Sequence, residues 1–248
     1  MKTSELNALP SLSSLSRLVI AALLLVACSP STVPTANAHE PPEPDNAKVF
    51  DFESGAIGET PPDFTTGLTG NGGPVRWDIV SAKDAPSGST VLGQLSHDKT
   101  DKRYPHIVYD NISAQDVDVS VKFKTLSGRV DASGGIVFRY QDSGNCYVVR
   151  ANSLEGNVVA YKAENGRRKS IGIKGNTKTY GVDVTVPHLQ WNTLRVIARG
   201  DLFSIYLNGK KVFDVENTVF SKAGKIGLWT KADAVTHFDD LTIAVLDK

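Results

Sequence analysis

A period of two constrains this chain more than any other feature. From about residue 47 to the C-terminus, apolar and polar side chains alternate in short runs, and nothing sustains a 3.6-residue helical period over eleven residues. In Val117-Asp118-Val119-Ser120-Val121-Lys122-Phe123 the valines and Phe123 share one face, while Asp118, Ser120 and Lys122 share the other. Leu194, Val196 and Ala198 repeat the pattern, and so do Phe203, Ile205 and Leu207. Such strands are half-buried and need a second layer to cover their apolar face. Turn residues separate them at hairpin spacing: Gly200-Asp201, Asn208-Gly209 and Asn165-Gly166. Asn-Gly accepts positive φ at both turn positions, the geometry that matches strand twist. About a dozen segments spaced by roughly eight to twelve residues predict an all-β, antiparallel two-sheet sandwich. A chain of 248 residues, 40% hydrophobic, is long enough for one such core. In the last segment Phe238 shares a register with Asp240, whereas Leu241, Ile243 and Val245 hold the other. A β-bulge near Asp239-Asp240 would return all the apolar residues to one face.

The N-terminus reads differently. Lys2 and Arg17 precede ten uninterrupted apolar residues, Leu18 to Ala27, the pattern of an export signal and too short to span a bilayer. The run ends in Leu25-Val26-Ala27-Cys28, which resembles the lipobox of bacterial lipoproteins. That resemblance implies cleavage before Cys28 and a diacylglycerol on its thiol. Acyl chains contribute about 0.8 kcal/mol per buried methylene, so two or three anchor a protein without a transmembrane helix. A competing cleavage site, Ala36-Asn37-Ala38, lies farther along, past Pro30 and Pro34. The expected organisation is a signal peptide over 1–27, a Pro-rich disordered tether over 28–46, and one β-sandwich domain over 47–248. Ser29 after the cysteine resembles outer-membrane sorting, so the expected location is the cell envelope, facing the periplasm or the cell surface. With Cys28 lipidated, Cys146 has no disulfide partner and reads as a buried apolar thiol. Lys+Arg and Asp+Glu balance at 27 each, which leaves no electrostatic footprint for nucleic acid.

Three stretches carry a family resemblance. They are Gly134-Gly135-Ile136-Val137-Phe138-Arg139-Tyr140-Gln141-Asp142 with Asn145 to Asn152; Trp191-Asn192-Thr193-Leu194-Arg195-Val196 with Leu207-Asn208-Gly209-Lys210; and Gly224-Lys225-Ile226-Gly227-Leu228-Trp229 with Phe238-Asp239-Asp240-Leu241. Together they resemble the laminin G-like and 3-keto-disaccharide hydrolase group of the concanavalin A-like lectin and glucanase superfamily. The resemblance implies a jelly roll whose concave sheet often meets sugars. It covers enzymes, lectins and adhesion modules alike, so activity has to be argued from residues.

Superfamily glucanases share a Glu-x-Asp-x-x-Glu strand, which this chain lacks. Glu53, Glu59, Glu155, Glu164 and Glu216 are scattered near strand ends and turns, so a paired-carboxylate mechanism is not expected. Elimination from a 3-keto-glycoside asks for a single base, and His97, His106, His188, Asp142 and Glu155 are all candidates. Binding asks for an aromatic face and polar side chains for hydroxyls. Arg139, Tyr147, Arg150 and Asn152, with Tyr161 and Lys162 nearby, form the expected carbohydrate patch. Trp191 reads as structural, while Trp229 can reach a rim. Asp51 and Glu53, with Asp239 and Asp240, are candidate ligands of a structural Ca²⁺, which takes six to eight oxygens. The leading expectation is a glycan-binding lipoprotein domain with carbohydrate as partner and membrane contact through the lipid alone. A 3-keto-glycoside enzyme and an envelope interaction module are its rivals.

Overall fold

The structure, a computed structural model, describes residues 40–247. The expected signal peptide, Cys28 and the tether as far as His39 lie outside them. The described residues form sixteen strands in two sheets, and every strand pairing is antiparallel. The first sheet holds β1 (Lys48–Phe50), β3 (Trp77–Ser81), β4 (Thr90–Gln94), β6 (Val117–Ser127), β12 (Asn192–Arg199), β13 (Leu202–Leu207), β14 (Lys210–Glu216) and β16 (Val235–Val245). Its order is β14-β13-β12-β6-β16-β4-β3, with β1 also on β16. The second holds β2 (Phe64–Gly70), β5 (Arg103–Ala114), β7 (Ser133–Asp142), β8 (Asn145–Asn152), β9 (Asn157–Glu164), β10 (Arg167–Ser170), β11 (Val182–Asp183) and β15 (Gly224–Trp229). Its order is β10-β9-β8-β7-β15-β5-β2, with β11 also on β9. This is the antiparallel two-sheet sandwich that the alternation and turn spacing predict, and the jelly roll that the resemblance implies.

The core lies between the sheets. Val117, Val119, Val121 and Phe123 of β6, all fully buried, meet Ile136 and Phe138 of β7 and Tyr147, Val149 and Ala151 of β8. Burying each such side chain contributes roughly 1.5–3 kcal/mol. Hairpin chemistry follows the sequence: φ is 49° and 75° at Asn165-Gly166, and 50° and 75° at Asn208-Gly209. The bulge is present too. The register of β16 against β6 slips between Asp239 and Thr242, and Asp240 has φ 46°. Before the slip β16 pairs β4; after it, β16 pairs β1.

Residues 40–46, expected to be part of a disordered tether, are docked on the first sheet instead. The reason lies in the polar phase of β6 and β12. Arg195 and Asp118 point away from the core, form a bidentate pair at 2.7 Å and are almost fully buried. Arg195 also donates to the carbonyls of Pro41 (2.5 Å) and Pro42 (3.0 Å) and reaches Glu40, while Ser120 donates to Glu43 at 2.6 Å. A buried guanidinium needs acceptors, and a proline-rich segment offers carbonyls that no secondary structure has claimed.

The second sheet is curled. Adding a Cβ to Gly67 of β2 would drive it into the His106 ring, so Gly67 and, two residues on, Thr69 face away from the core with His106. Thr69 donates its hydroxyl to the Ser143 carbonyl in the β7–β8 hairpin. In a flat sheet three strand spacings, about 14 Å, would separate β2 from β7. The outer face of the second sheet is therefore concave.

Candidate concave-face site

Side chains of the second sheet that alternate away from the core converge on this concave face. Its floor is apolar: Val108, Val137, Cys146, Val148, Val159 and Ala163 pack with Tyr161 and Trp229 in a cluster separate from the main core. Tyr104 stacks on Trp229, with ring centroids 5.7 Å apart and planes inclined by 17°. Trp229 fits closely over β7 because position 135 is glycine. A Cβ there would lie 3.3 Å from the Trp229 ring and 3.2 Å from the Arg150 Cβ. From the sheet edge, Arg168 of β10 lays its guanidinium over Tyr161, Tyr104 and Trp229, 4.2, 4.6 and 5.4 Å from their ring centroids.

The floor ends in a charged corner. Arg150 of β8 donates to Asn157 Oδ1 (2.9 Å), Glu155 Oε2 (2.6 Å), and the hydroxyls of Tyr161 and Tyr180 (3.2 Å each). Asp131, in the approach to β7, is fully buried. Lys231 stands 3.7 Å from it and 2.7 Å from Asp101. Burial raises the Asp131 carboxyl above its ordinary pKa, against the pull of the Arg150 and Lys231 charges. Among the described residues eight buried side-chain atoms lack a hydrogen-bond partner, and of these only Trp77 Nε1 lies outside this neighbourhood. The others are both Asp131 oxygens, Ser133 Oγ, Arg150 Nε, Asn152 Nδ2, Arg168 Nη1 and Thr230 Oγ1. A fold that satisfies nearly all its buried polar groups but leaves these together keeps them available to something else.

The expected residues separate cleanly. Arg150 and Asn152 stand on this face, with Tyr161 between Arg150 and Arg168. Arg139 and Tyr147 do not, which corrects the expected patch. Tyr147 is buried in the main core and its hydroxyl donates to Asn217 Oδ1 at 2.8 Å. Arg139, at φ 45° in a bulge of β7, is also fully buried. It donates to the carbonyls of Gln115 (2.8 Å), Phe220 (2.9 Å) and Gly200 (2.5 Å), with Asp116 at 3.4 Å, and so ties three loops together.

Among the candidate bases only Glu155 is in the corner. His106 lies buried under Tyr140, ring centroids 5.3 Å apart, and burial pushes its pKa down to about 4. His188 stands by Thr125 and Ser153, Asp142 braces its own hairpin through Gly144 and Asn145, and His97 is exposed.

The four expected calcium ligands each have hydrogen-bond partners. Glu53 accepts from the Ser89 and Thr90 amides, Asp239 from the Ser87 and Asp240 amides, and Asp240 from Lys122. Asp51 accepts from the Glu53 amide. No group of three or more His, Cys, Asp or Glu able to hold a metal occurs among the described residues. Sequence reasoning missed Asp131, Arg168, Lys231, Tyr104 and Tyr180, none of which sits in a motif.

Fold and face together define a concanavalin A-like jelly roll with a concave outer sheet. The chain belongs to the 3-keto-alpha-glucoside-1,2-lyase-like domain family, which it matches over residues 66–244. Among solved structures it is similar to the carbohydrate binding module CBM66 from Bacillus subtilis. That likeness has 21% identity and a TM-score of 0.56, over 73% of this chain and 94% of that one. It is also similar to the cellulose induced protein Cip1, at 13% identity and a TM-score of 0.55, over 80% of this chain and 97% of that one. At these identities the likeness concerns the fold. No relative is found among curated proteins.

Proposed function

We propose that this domain binds carbohydrate on the concave face of its second sheet, as part of an exported protein held at the cell envelope by a lipid on Cys28. The gathering of unpartnered polar atoms beside the Tyr104–Trp229 platform carries the binding reading. A sugar offers hydroxyls that both donate and accept, and an apolar ring face that stacks on aromatics. CBM66, which shares the fold, is a carbohydrate binding module, and that supports the reading. Calorimetry with a glycan panel tests it. Saturable binding weakened about tenfold or more in Tyr104→Ala or Asp131→Asn is expected, whereas affinity unchanged in both variants would place any sugar elsewhere. The anchor has its own test: Cys28→Ser should move the protein from the membrane to the soluble fraction, and a variant that stays membrane-bound would overturn it.

Asp131 favours a second reading, elimination from a 3-keto-glucoside. A C3 ketone acidifies the C2–H bond. A carboxylate takes that proton, the C1–C2 double bond forms as the C1–O bond breaks, and the departing oxygen is protonated. Arg150 and Lys231 would stabilise the enolate oxygen. Turnover of a 3-keto-glucoside, followed by chromatography and lost in Asp131→Asn with binding retained, would make this the function.

A further inference from the structure

The cations of the concave face are matched to anions, with one exception. Arg150 has Glu155, Lys231 has Asp101, and Lys225, farther along the same face, has Asp110. Among the described residues no carboxylate lies within 4.0 Å of Arg168, and its Nη1 is buried without a hydrogen-bond partner. Three aromatic rings hold the guanidinium in place, but a π face offers no in-plane acceptor to the N–H fork. A charged edge strand commonly serves to prevent pairing with another sheet. Arg167 and Lys169, exposed and directed to the opposite face of β10, answer that need; Arg168 is folded inward and half-buried.

We propose that the ligand of this face is an anionic saccharide, a sugar bearing a carboxylate or a sulfate, and that Arg168 reads its charge. This rests on the carbohydrate reading above and names the substrate class of the same site. A bidentate acceptor in the plane of the guanidinium completes the fork that the rings leave open. Asp101, whose carboxyl feels the Arg168 charge, is already engaged by Lys231, which lowers the repulsion an incoming anion meets.

Calorimetry on the full chain with three probes tests the proposal: an oligogalacturonate, its carboxyl-reduced neutral counterpart, and a sulfated galactan oligosaccharide. One of the two anionic probes should bind about tenfold or more tighter than the neutral one. That preference should shrink with added salt and vanish in Arg168→Gln. Arg168→Lys, which keeps the charge and loses the fork, should recover part of it. Unchanged denaturation midpoints in both variants confirm that they fold. Which anionic probe is preferred separates carboxylate from sulfate. Equal affinity for charged and neutral probes, or a preference undiminished in Arg168→Gln, overturns the proposal while neutral binding leaves the carbohydrate reading standing. Absence of binding by every probe overturns both.

Discussion

His106 and Asp239 are buried on opposite sheets with pKa values moved in opposite senses, so their effects on acid stability oppose one another. Burial holds the His106 imidazole near 4, against an ordinary value of about 6.5. Its folded-state pKa is depressed, so its stabilising contribution is complete above about pH 6.5 and is lost as pH falls toward 4. One site shifted this far costs about 3 kcal/mol between pH 7 and pH 4. Burial lifts Asp239 to about 6 from an ordinary 3.8. The folded state binds that proton more tightly than the unfolded chain does, so stability rises by about 2 kcal/mol over the same acidification. In the wild type the two nearly cancel, and single variants expose them. Relative to wild type, His106→Gln should gain about 3 kcal/mol on going from pH 7 to pH 4, and Asp239→Asn should lose about 2 kcal/mol. Urea denaturation followed by tryptophan fluorescence at several pH values gives these differences. Carboxylates shared by all three proteins, such as Asp98, which amide hydrogen bonds hold near 2, drop out of the comparison. Stability curves that stay parallel across the pH range would refute the reasoning.

Arg139→Ala should cost about 3–5 kcal/mol in denaturant titrations, because three carbonyls and Asp116 lose a buried partner. The folded variant should keep wild-type carbohydrate affinity; a selective loss of binding would return Arg139 to the site. Cys146 is buried with its thiol pKa pushed up to about 12, so native protein should leave it unmodified by an alkylating reagent. Mass mapping checks this, with labelling expected only after denaturation. Gly135→Ala should press on the Val149 carbonyl and displace Trp229 and Arg150, so sugar affinity and melting temperature should both fall, read by calorimetry beside thermal melting.

Strands with one apolar phase were legible and strands with two were not. In β6 every second residue is Val or Phe and the residues between are Asp, Ser and Lys, so the inward face reads directly. In β8 both phases are apolar: Cys146 and Val148 line the concave floor, while Tyr147, Val149 and Ala151 enter the core. Period-two reasoning cannot choose between two apolar faces, and Tyr147 was assigned to the wrong one. Arg139 failed for a second reason: the bulge at its position breaks the alternation that its placement assumed. Asp131 carries no sequence signal, since its importance comes from burial beside Lys231 and Arg150, brought together by three separate segments. Arg168 reads as an ordinary edge charge between Arg167 and Lys169 until the curl of the sheet sets it over three rings.

The docked segment 40–46 lies on the face of the sandwich opposite the site. Arg195 alternates with the core residues Leu194 and Val196, so it and the prolines it holds lie on the outer face of the first sheet. The concave face belongs to the outer side of the second sheet, across the full thickness of the sandwich. Releasing the latch with Arg195→Met should leave sugar affinity in solution unchanged. Because Asp118 then loses its buried partner, the same substitution should lower stability by about 3–5 kcal/mol, and an unchanged denaturation midpoint would mean that residues 40–46 are not held as described.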